Sequence, residues 1–175
     1  LGEDVPQDYK QAAKWYRLAA DQGEAGAQYN LGGLYEQGQG VPQDFKQAAK
    51  WFRLAADQGD AAAQYILGGL YRLGKGVPQD FQQAAKWFRL SADQGEAHAQ
   101  FALGDLYELG RGVPQDFKQS VKWYRLAADQ GDASAQRSLG VLYHQGQGVP
   151  QDTGQAMAWY LKAAQQRDAD AQNKL

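Results

Sequence analysis

The sequence predicts an all-α protein made of tandem helical hairpins with a repeat of 36 residues. The first observation is a motif, VPQDFKQAAKWFRL at 41–54, that returns in similar form at Val5, Val77, Val113 and Val149, each 36 residues after the one before. The second is that apolar residues within each copy follow helical spacing, with glycines between the segments. A fixed period along the whole chain indicates one continuous array rather than separate globular domains.

The motif itself predicts a helix that starts at Asp44. Asp44 and Gln47 form a capping-box pattern, in which the aspartate accepts a hydrogen bond from a free backbone N–H. Apolar residues from Phe45 to Ala56 then recur at i, i+3, i+4 and i+7, which places them on one face. Gly59 can adopt the left-handed conformation that ends a helix.

A further helix is predicted from about Asp60 to Leu73, ending at Gly74. Its inward stripe consists of Ala63, Leu67, Leu70 and Tyr71. Gly68 costs about 1 kcal/mol relative to alanine inside a helix, so we expect a neighbouring backbone or aromatic ring to approach there. This helix is the first of its repeat, and the next copy of the motif is the second. The two form an antiparallel hairpin, and hairpins in tandem form a solenoid.

We expect a single domain over residues 1–175. Its segments are a lone second helix at 5–23, repeats at 24–59, 60–95, 96–131 and 132–167, and a partial first helix at 168–175. Because the opening residues match the middle of a repeat, we expect a fragment whose own N-terminus lies elsewhere. Cytoplasmic and periplasmic locations both remain open.

The stretch ALGDLYELGRGVPQDFKQSVKWYRLAADQGDASAQ at 102–136 resembles the Sel1-like repeat, a relative of the tetratricopeptide repeat. The LGxLYxxGxGVxxD and AxxWYxxAAxQG signatures recur in phase along the chain. The resemblance implies a right-handed α/α solenoid that serves as an adaptor in protein complexes, often in bacteria. Cysteine-rich relatives linked to β-lactam binding carry a disulfide in each repeat, which this chain lacks.

Composition argues against several classes of function. The 18 Lys and Arg nearly balance the 20 Asp and Glu, so we expect no nucleic-acid partner. No run of about 20 apolar residues is present, so we expect no membrane insertion. His98 and His144 occupy different repeat positions and there is no cysteine, so we expect no metal and no cofactor. Aspartates that recur as helix caps do not suggest a tuned acid or base, and we expect no enzyme activity.

Positions that differ between copies indicate where the array itself imposes no constraint. In the first helices they are Gly26/Ala62/His98/Ser134, Asn30/Ile66/Ala102/Ser138, Gly33/Gly69/Asp105/Val141 and Gln37/Leu73/Leu109/Gln145. Their spacing of 4, 3 and 4 places them on one narrow face of the helix, which we call the variable stripe. In tetratricopeptide-like stacks the first helices line a concave groove, so this stripe predicts a site for a protein or extended peptide.

The predicted groove consists of the variable stripe and its flanking side chains: Tyr29, Asn30, Gly33, Tyr65, Ile66, Gly69, Arg72, Leu73, His98, Phe101, Ala102, Asp105, Glu108, Leu109, Ser138, Val141 and His144. We expect the aromatic residues to supply rigid contact area and the charged residues to supply selectivity. In particular, Tyr65, Ile66, Phe101 and Asp105 should lie on the inner surface. The alternative is that the stripe is only a relaxed solvent-facing surface.

Two other repeated patterns have structural interpretations. Trp15, Trp51, Trp87, Trp123 and Trp159 recur in register and are predicted to pack in the core. Lysines and an arginine recur on the second helices as Lys10/Lys14/Arg17, Lys46/Lys50/Arg53, Lys86/Arg89 and Lys118/Lys122/Arg125. Because acidic residues follow one turn later, we expect this ridge to be a solvated outer face.

The last unit departs most from the others. Thr153 and Gly154 replace an aromatic residue and a lysine, Arg167 replaces a helix-ending glycine, and Arg137 and Asn173 stand where first helices carry an aromatic residue. Polar substitutions are typical of a terminal repeat. An open end also favours stacking on another copy, so the competing function is a structural array that spaces other domains and forms end-to-end homo-oligomers.

Overall fold

The computed structural model describes residues 8–166, which form nine α-helices and no strand. The helices are α1 (Tyr9–Asp21), α2 (Ala25–Gln37), α3 (Phe45–Asp57), α4 (Ala61–Leu73), α5 (Phe81–Asp93), α6 (Ala97–Leu109), α7 (Phe117–Asp129), α8 (Ala133–Gln145) and α9 (Thr153–Gln165). Even-numbered helices are the predicted first helices and odd-numbered ones the second. The partial first helix at 168–175, the start of the lone helix at 5–7, and Arg167 lie outside the described residues.

The contacts divide the chain into two compact units, Leu1–Asp80 and Phe81–Leu175. In the first unit α1 packs on α2, α2 on α3, and α3 on α4. In the second unit consecutive helices from α5 to α9 pack in the same way. Among the described residues, no helix combines the length and the apolarity needed to cross a bilayer.

Aspartate caps begin most of these helices, as the sequence predicts. Asp44 Oδ1 accepts from the backbone N–H groups of Lys46 at 2.9 Å and Gln47 at 3.1 Å. The same bonds form at Asp8 and Asp116, and single bonds at Asp60, Asp132 and Asp152. Gly59, with φ of +93°, takes the predicted left-handed conformation after α3.

Glycines on the first helices make room for a ring from the paired second helix. A Cβ added at Gly32 would lie 3.0 Å from the Phe52 ring, and one added at Gly104 would lie 2.5 Å from the Tyr124 ring. Gly140 receives Tyr160 in the same way. These three glycines occupy the repeat position of Gly68, so the predicted close approach of a ring is confirmed at all three.

The recurring tryptophans are buried, with one exception. Trp51 is 3% exposed, enclosed by Ala20 and Leu31 with the Arg17 guanidinium 5.0 Å from its ring centre. Trp87, Trp123 and Trp159 are buried as well. Trp15, however, is 67% exposed, so the core prediction is wrong there. Among the described residues, no arginine lies over Trp15 as Arg17 lies over Trp51.

The predicted basic ridge is solvated only at its lysines. Lys46 and Lys50 are exposed, but the arginine of each motif turns toward the adjacent first helix. Arg17 donates to the Tyr35 hydroxyl, and the same pairing recurs as Arg53–Tyr71, Arg89–Tyr107 and Arg125–Tyr143. The arginines are therefore packing residues, because their guanidinium groups also cover aromatic rings.

The final helix is less polar than the sequence analysis suggests. Thr153 and Gly154 are exposed, but so are Met157 and Leu161, one turn apart on α9. Leu161 stands where the other second helices carry their packing arginine.

Candidate functional site

A cleft of about 350 Å³ opens on the first unit, and we call it the tyrosine cleft. Helices α1 and α2 supply most of its wall, with single residues from α3 and α4. Its lining residues are Tyr9, Ala12, Tyr16, Tyr29, Asn30, Gly33, Leu34, Glu36, Gln37, Gln39, Phe52 and Ile66. Pockets that bind small ligands have volumes of about 300–1,000 Å³.

Two adjacent glycines of α2 shape this cleft in different ways. Gly32 faces Phe52 and lets that ring pack against the helix backbone. At Gly33 an added Cβ would meet no heavy atom within 4 Å, so this position leaves the cleft open. Tyr29 packs edge-on against Phe52, with ring centres 5.7 Å apart, and this contact fixes the aromatic wall.

Among the described residues that line the tyrosine cleft, Glu36 is the one carboxylate, and none is a lysine or an arginine. Burial raises the pKa of Glu36 above its ordinary value, and the positive charge of Lys75 opposes that rise. The backbone carbonyl of Glu36 accepts a 2.8 Å hydrogen bond from the Gln43 side chain, which holds this end of α2 in place. The lining thus offers aromatic faces, amide groups and one half-buried acid.

Four residues of the predicted groove meet at the tyrosine cleft: Tyr29, Asn30, Gly33 and Ile66. Tyr16, Phe52 and Glu36 also line the cleft and are not among the predicted groove residues. Glu36 occupies the repeat position of Arg72, Glu108 and His144, so the comparison between copies contained the signal that would have identified it.

A different arrangement occupies the equivalent place in the second unit. The Tyr124 hydroxyl lies 2.6 Å from Asp105 Oδ1 and 2.6 Å from Glu108 Oε2. Phe101 packs on Tyr124 with ring centres 5.5 Å apart. Burial raises the pKa of the Tyr124 phenol, and the charges and hydrogen bonds of the two carboxylates raise it further. We call these four residues the tyrosine–carboxylate cluster.

The other predicted groove residues are dispersed over the two units. Leu73, Leu109 and His98 are exposed, whereas Tyr65, Gly69, Arg72, Ser138 and Val141 are half-buried. Ala102 is 5% exposed and offers little surface to a ligand. His98 Nδ1 lies 3.4 Å from Asp132 Oδ2.

His144 lies at a cavity of about 250 Å³ with Thr153, Met157 and Tyr160. Burial raises the pKa of Tyr160, and the positive charge of Arg137 opposes that rise. Within residues 8–166, no three His, Asp or Glu side chains converge to hold a metal ion.

Comparison with solved structures places this architecture among known proteins. The chain matches a Sel1 repeat protein from Oxalobacter formigenes with a TM-score of 0.88 and 40% identity, over 98% of this chain and 70% of that one. It matches c5321, a protective antigen of uropathogenic Escherichia coli with an SLR fold, with a TM-score of 0.94 and 42% identity. That match covers 98% of this chain but only 37% of c5321.

A more distant similarity is to cysteine-rich protein B of Helicobacter pylori, with a TM-score of 0.57 and 25% identity over 77% of this chain and 97% of that one. Among curated protein sequences there is no match. The family model described as Sel1 repeat matches five consecutive segments, at 1–24, 25–60, 61–96, 97–132 and 133–168. Helix composition, repeat length and sequence agree, and the chain belongs to the Sel1 repeat family.

Proposed function

We propose that this protein is a non-enzymatic adaptor that binds a protein or extended peptide through the variable stripe of its first helices. Sel1 repeats generally act in protein–protein interaction and are typically not catalytic. The observation that carries the proposal is the tyrosine cleft, where four predicted residues surround an open space. By contrast, Leu31 occupies a repeat position that is leucine in every first helix, and it is buried among neighbouring helices.

The surface of the tyrosine cleft is suited to peptide contact. Tyrosine and phenylalanine rings give large apolar area at low cost in conformational entropy, and such residues are enriched among interface hot spots. Asn30, Gln37 and Gln39 add amide groups able to pair with a peptide backbone.

A displayed library of random peptides, selected against the full chain, tests this proposal. Selected peptides should bind parent protein and lose at least about tenfold in affinity to a Tyr29→Ala/Ile66→Ala variant, which corresponds to about 1.4 kcal/mol. The matched control is Lys46→Ala/Lys50→Ala, which alters exposed lysines on α3 and should leave binding unchanged. If the control variant loses binding and the cleft variant keeps it, the proposal is wrong.

A second candidate function, a self-assembling array, is favoured by exposed apolar side chains on two helices. Trp15 and Leu18 of α1 are exposed, as are Met157 and Leu161 of α9. Light scattering across a concentration series distinguishes the two functions. A mass that grows with concentration, and that Trp15→Ser abolishes, supports assembly; a constant monomer mass supports the adaptor.

A further inference from the structure

The tyrosine cleft combines an aromatic wall with a single negative charge. Tyr16 and Tyr29 line it together with Phe52, which is 2% exposed, and Glu36 is the acidic residue of the lining. Aromatic faces attract cations that come within about 6 Å of the ring centre. A carboxylate beside such rings adds a charge-assisted hydrogen bond for a donor cation.

Among the described residues of the first unit, no lysine or arginine forms a salt bridge with the Glu36 carboxylate. The positive charge of Lys75 acts on Glu36, but the Lys75 Nζ lies 5.2 Å from the centre of the Phe45 ring, and Lys75 does not line the cleft. Burial disfavours the charged form of Glu36, as its raised pKa shows. A positively charged group entering the cleft would therefore offset an existing electrostatic cost.

Other aromatic rings of the first unit already hold cations from the chain itself. Arg17 lies over Trp51, and Lys50 covers the same ring at 5.4 Å. The tyrosine cleft has aromatic rings and an acid, while its lining contributes no cation. By charge complementarity, the group that would fill the cleft is a cation.

We propose that the tyrosine cleft binds a lysine side chain of the partner peptide, with its ammonium group between the aromatic rings and the Glu36 carboxylate. This inference rests on the proposed function, because it names the partner chemistry of the same site. It excludes an acidic or purely apolar residue as the preferred occupant.

The test is a titration of the full chain, followed by NMR chemical shifts, with three capped peptides that share an alanine–serine background. Their central residue is lysine, norleucine or glutamate. We expect the lysine peptide to bind at least about tenfold more tightly than either of the others. Equal binding of the norleucine peptide would show a merely apolar cleft and overturn the inference.

Two conservative variants separate charge from structure. Glu36→Gln keeps the shape of the side chain and should weaken lysine-peptide binding by about tenfold, with little effect on the norleucine peptide. The matched control is Glu24→Gln, which alters an exposed acid before α2 that makes no side-chain capping bond, and it should leave binding unchanged. Unfolding curves that coincide for both variants and the parent exclude a folding defect. Equal losses from the two variants would show a diffuse charge effect and contradict the inference.

Failure of this inference is distinguishable from failure of the adaptor proposal. If library-selected peptides need Tyr29 and Ile66 but lose nothing in Glu36→Gln, the adaptor proposal stands and the lysine preference is wrong. Tetramethylammonium is a cation that cannot mimic a peptide backbone, so it tests whether the cleft binds a cation in the absence of a peptide. Binding of this ion that depends on Glu36, with no selected peptide at the cleft, supports cation recognition and contradicts the adaptor proposal.

Discussion

The tyrosine cleft and the tyrosine–carboxylate cluster occupy the same repeat positions and have opposite character. Gly33 and Phe52 leave an open, aromatic space, whereas Asp105 and Tyr124 fill theirs with a hydrogen-bonded network. In both places a glycine on the first helix receives the ring of the second helix. The difference arises because Tyr124 carries a hydroxyl that Phe52 lacks, and because Asp105 carries a carboxylate at the repeat position of Gly33.

Residues that hold the fold and residues that form the surface occupy different positions of the repeat. Three contacts recur in several copies among the described residues: the glycine that faces a ring, the aspartate cap and the arginine–tyrosine pair. Side chains of the variable stripe change without disturbing these contacts. Each repeat can thus present its own surface on the same packing, as expected when repeats interact mainly with their neighbours.

The largest effect is expected from a change to the backbone that both regions share. Gly112 has φ of +72°, and an added Cβ would lie 2.1 Å from the carbonyl oxygen of Phe81. Gly112→Ala should lower the free energy of unfolding by about 3 kcal/mol or more, since a left-handed non-glycine residue alone costs about 1–2 kcal/mol. Urea denaturation measures the loss.

Gly69→Ala is the matched control for that change. Gly69 lies inside α4 on the variable stripe, and an added Cβ would meet nothing within 4 Å. Replacement by alanine should raise stability by about 0.5–1 kcal/mol, the usual difference in a helix interior. Similar losses in both variants would contradict the separation of structural from surface positions.

The next effect concerns the hydroxyl that distinguishes the two regions. Tyr124→Phe leaves the Asp105 and Glu108 carboxylates without their shared donor, and should cost about 1–3 kcal/mol. Phe52→Tyr makes the converse change at the tyrosine cleft, where Gly33 leaves space, and should alter stability by less than about 1 kcal/mol. Chemical denaturation of both variants tests the contrast, which fails if the two losses are equal.

The sequence predicts the fold better than the site because different interactions determine them. Helix starts follow from local capping by residues such as Asp44, and the repeat period sets their order. The tyrosine cleft combines residues from four helices, and Phe52 enters it because Gly32 admits its ring. Whether a tryptophan of the motif is buried depends on residues outside that copy of the motif, such as the Arg17 side chain that lies over Trp51, so no property of the motif itself indicates that Trp15 is exposed.

A smaller effect is expected at alkaline pH, where the buried Tyr124 phenol resists ionisation. The folded-state pKa of Tyr124 is raised above 10.0, so the fold retains a proton that the unfolded chain loses. Its stabilising contribution is complete below pH 10 and declines at higher pH. Between pH 10 and 11 the parent should lose about 1 kcal/mol more stability than Tyr124→Phe, because one proton corresponds to about 1.4 kcal/mol per pH unit. Parallel declines measured by denaturation would contradict the burial of this phenol.

The smallest effect is expected at Glu36, in the open region. Its folded-state pKa is raised by burial, so the fold favours the protonated acid. The resulting stabilisation is complete below pH 4.5 and disappears as pH rises through the folded-state pKa. At pH 7 Glu36→Gln should therefore be more stable than the parent by less than about 0.5 kcal/mol, since a half-exposed carboxylate is screened by water.

Glu24→Gln, which alters an exposed acid before α2, is the matched control. Thermal unfolding of both variants and the parent at pH 4 and pH 7 measures the effect. A Glu36→Gln variant less stable than the parent at pH 7 would mean that attraction from Lys75 outweighs burial. In that case the carboxylate would already be compensated inside the protein, and a lysine from a partner would gain little by entering the tyrosine cleft.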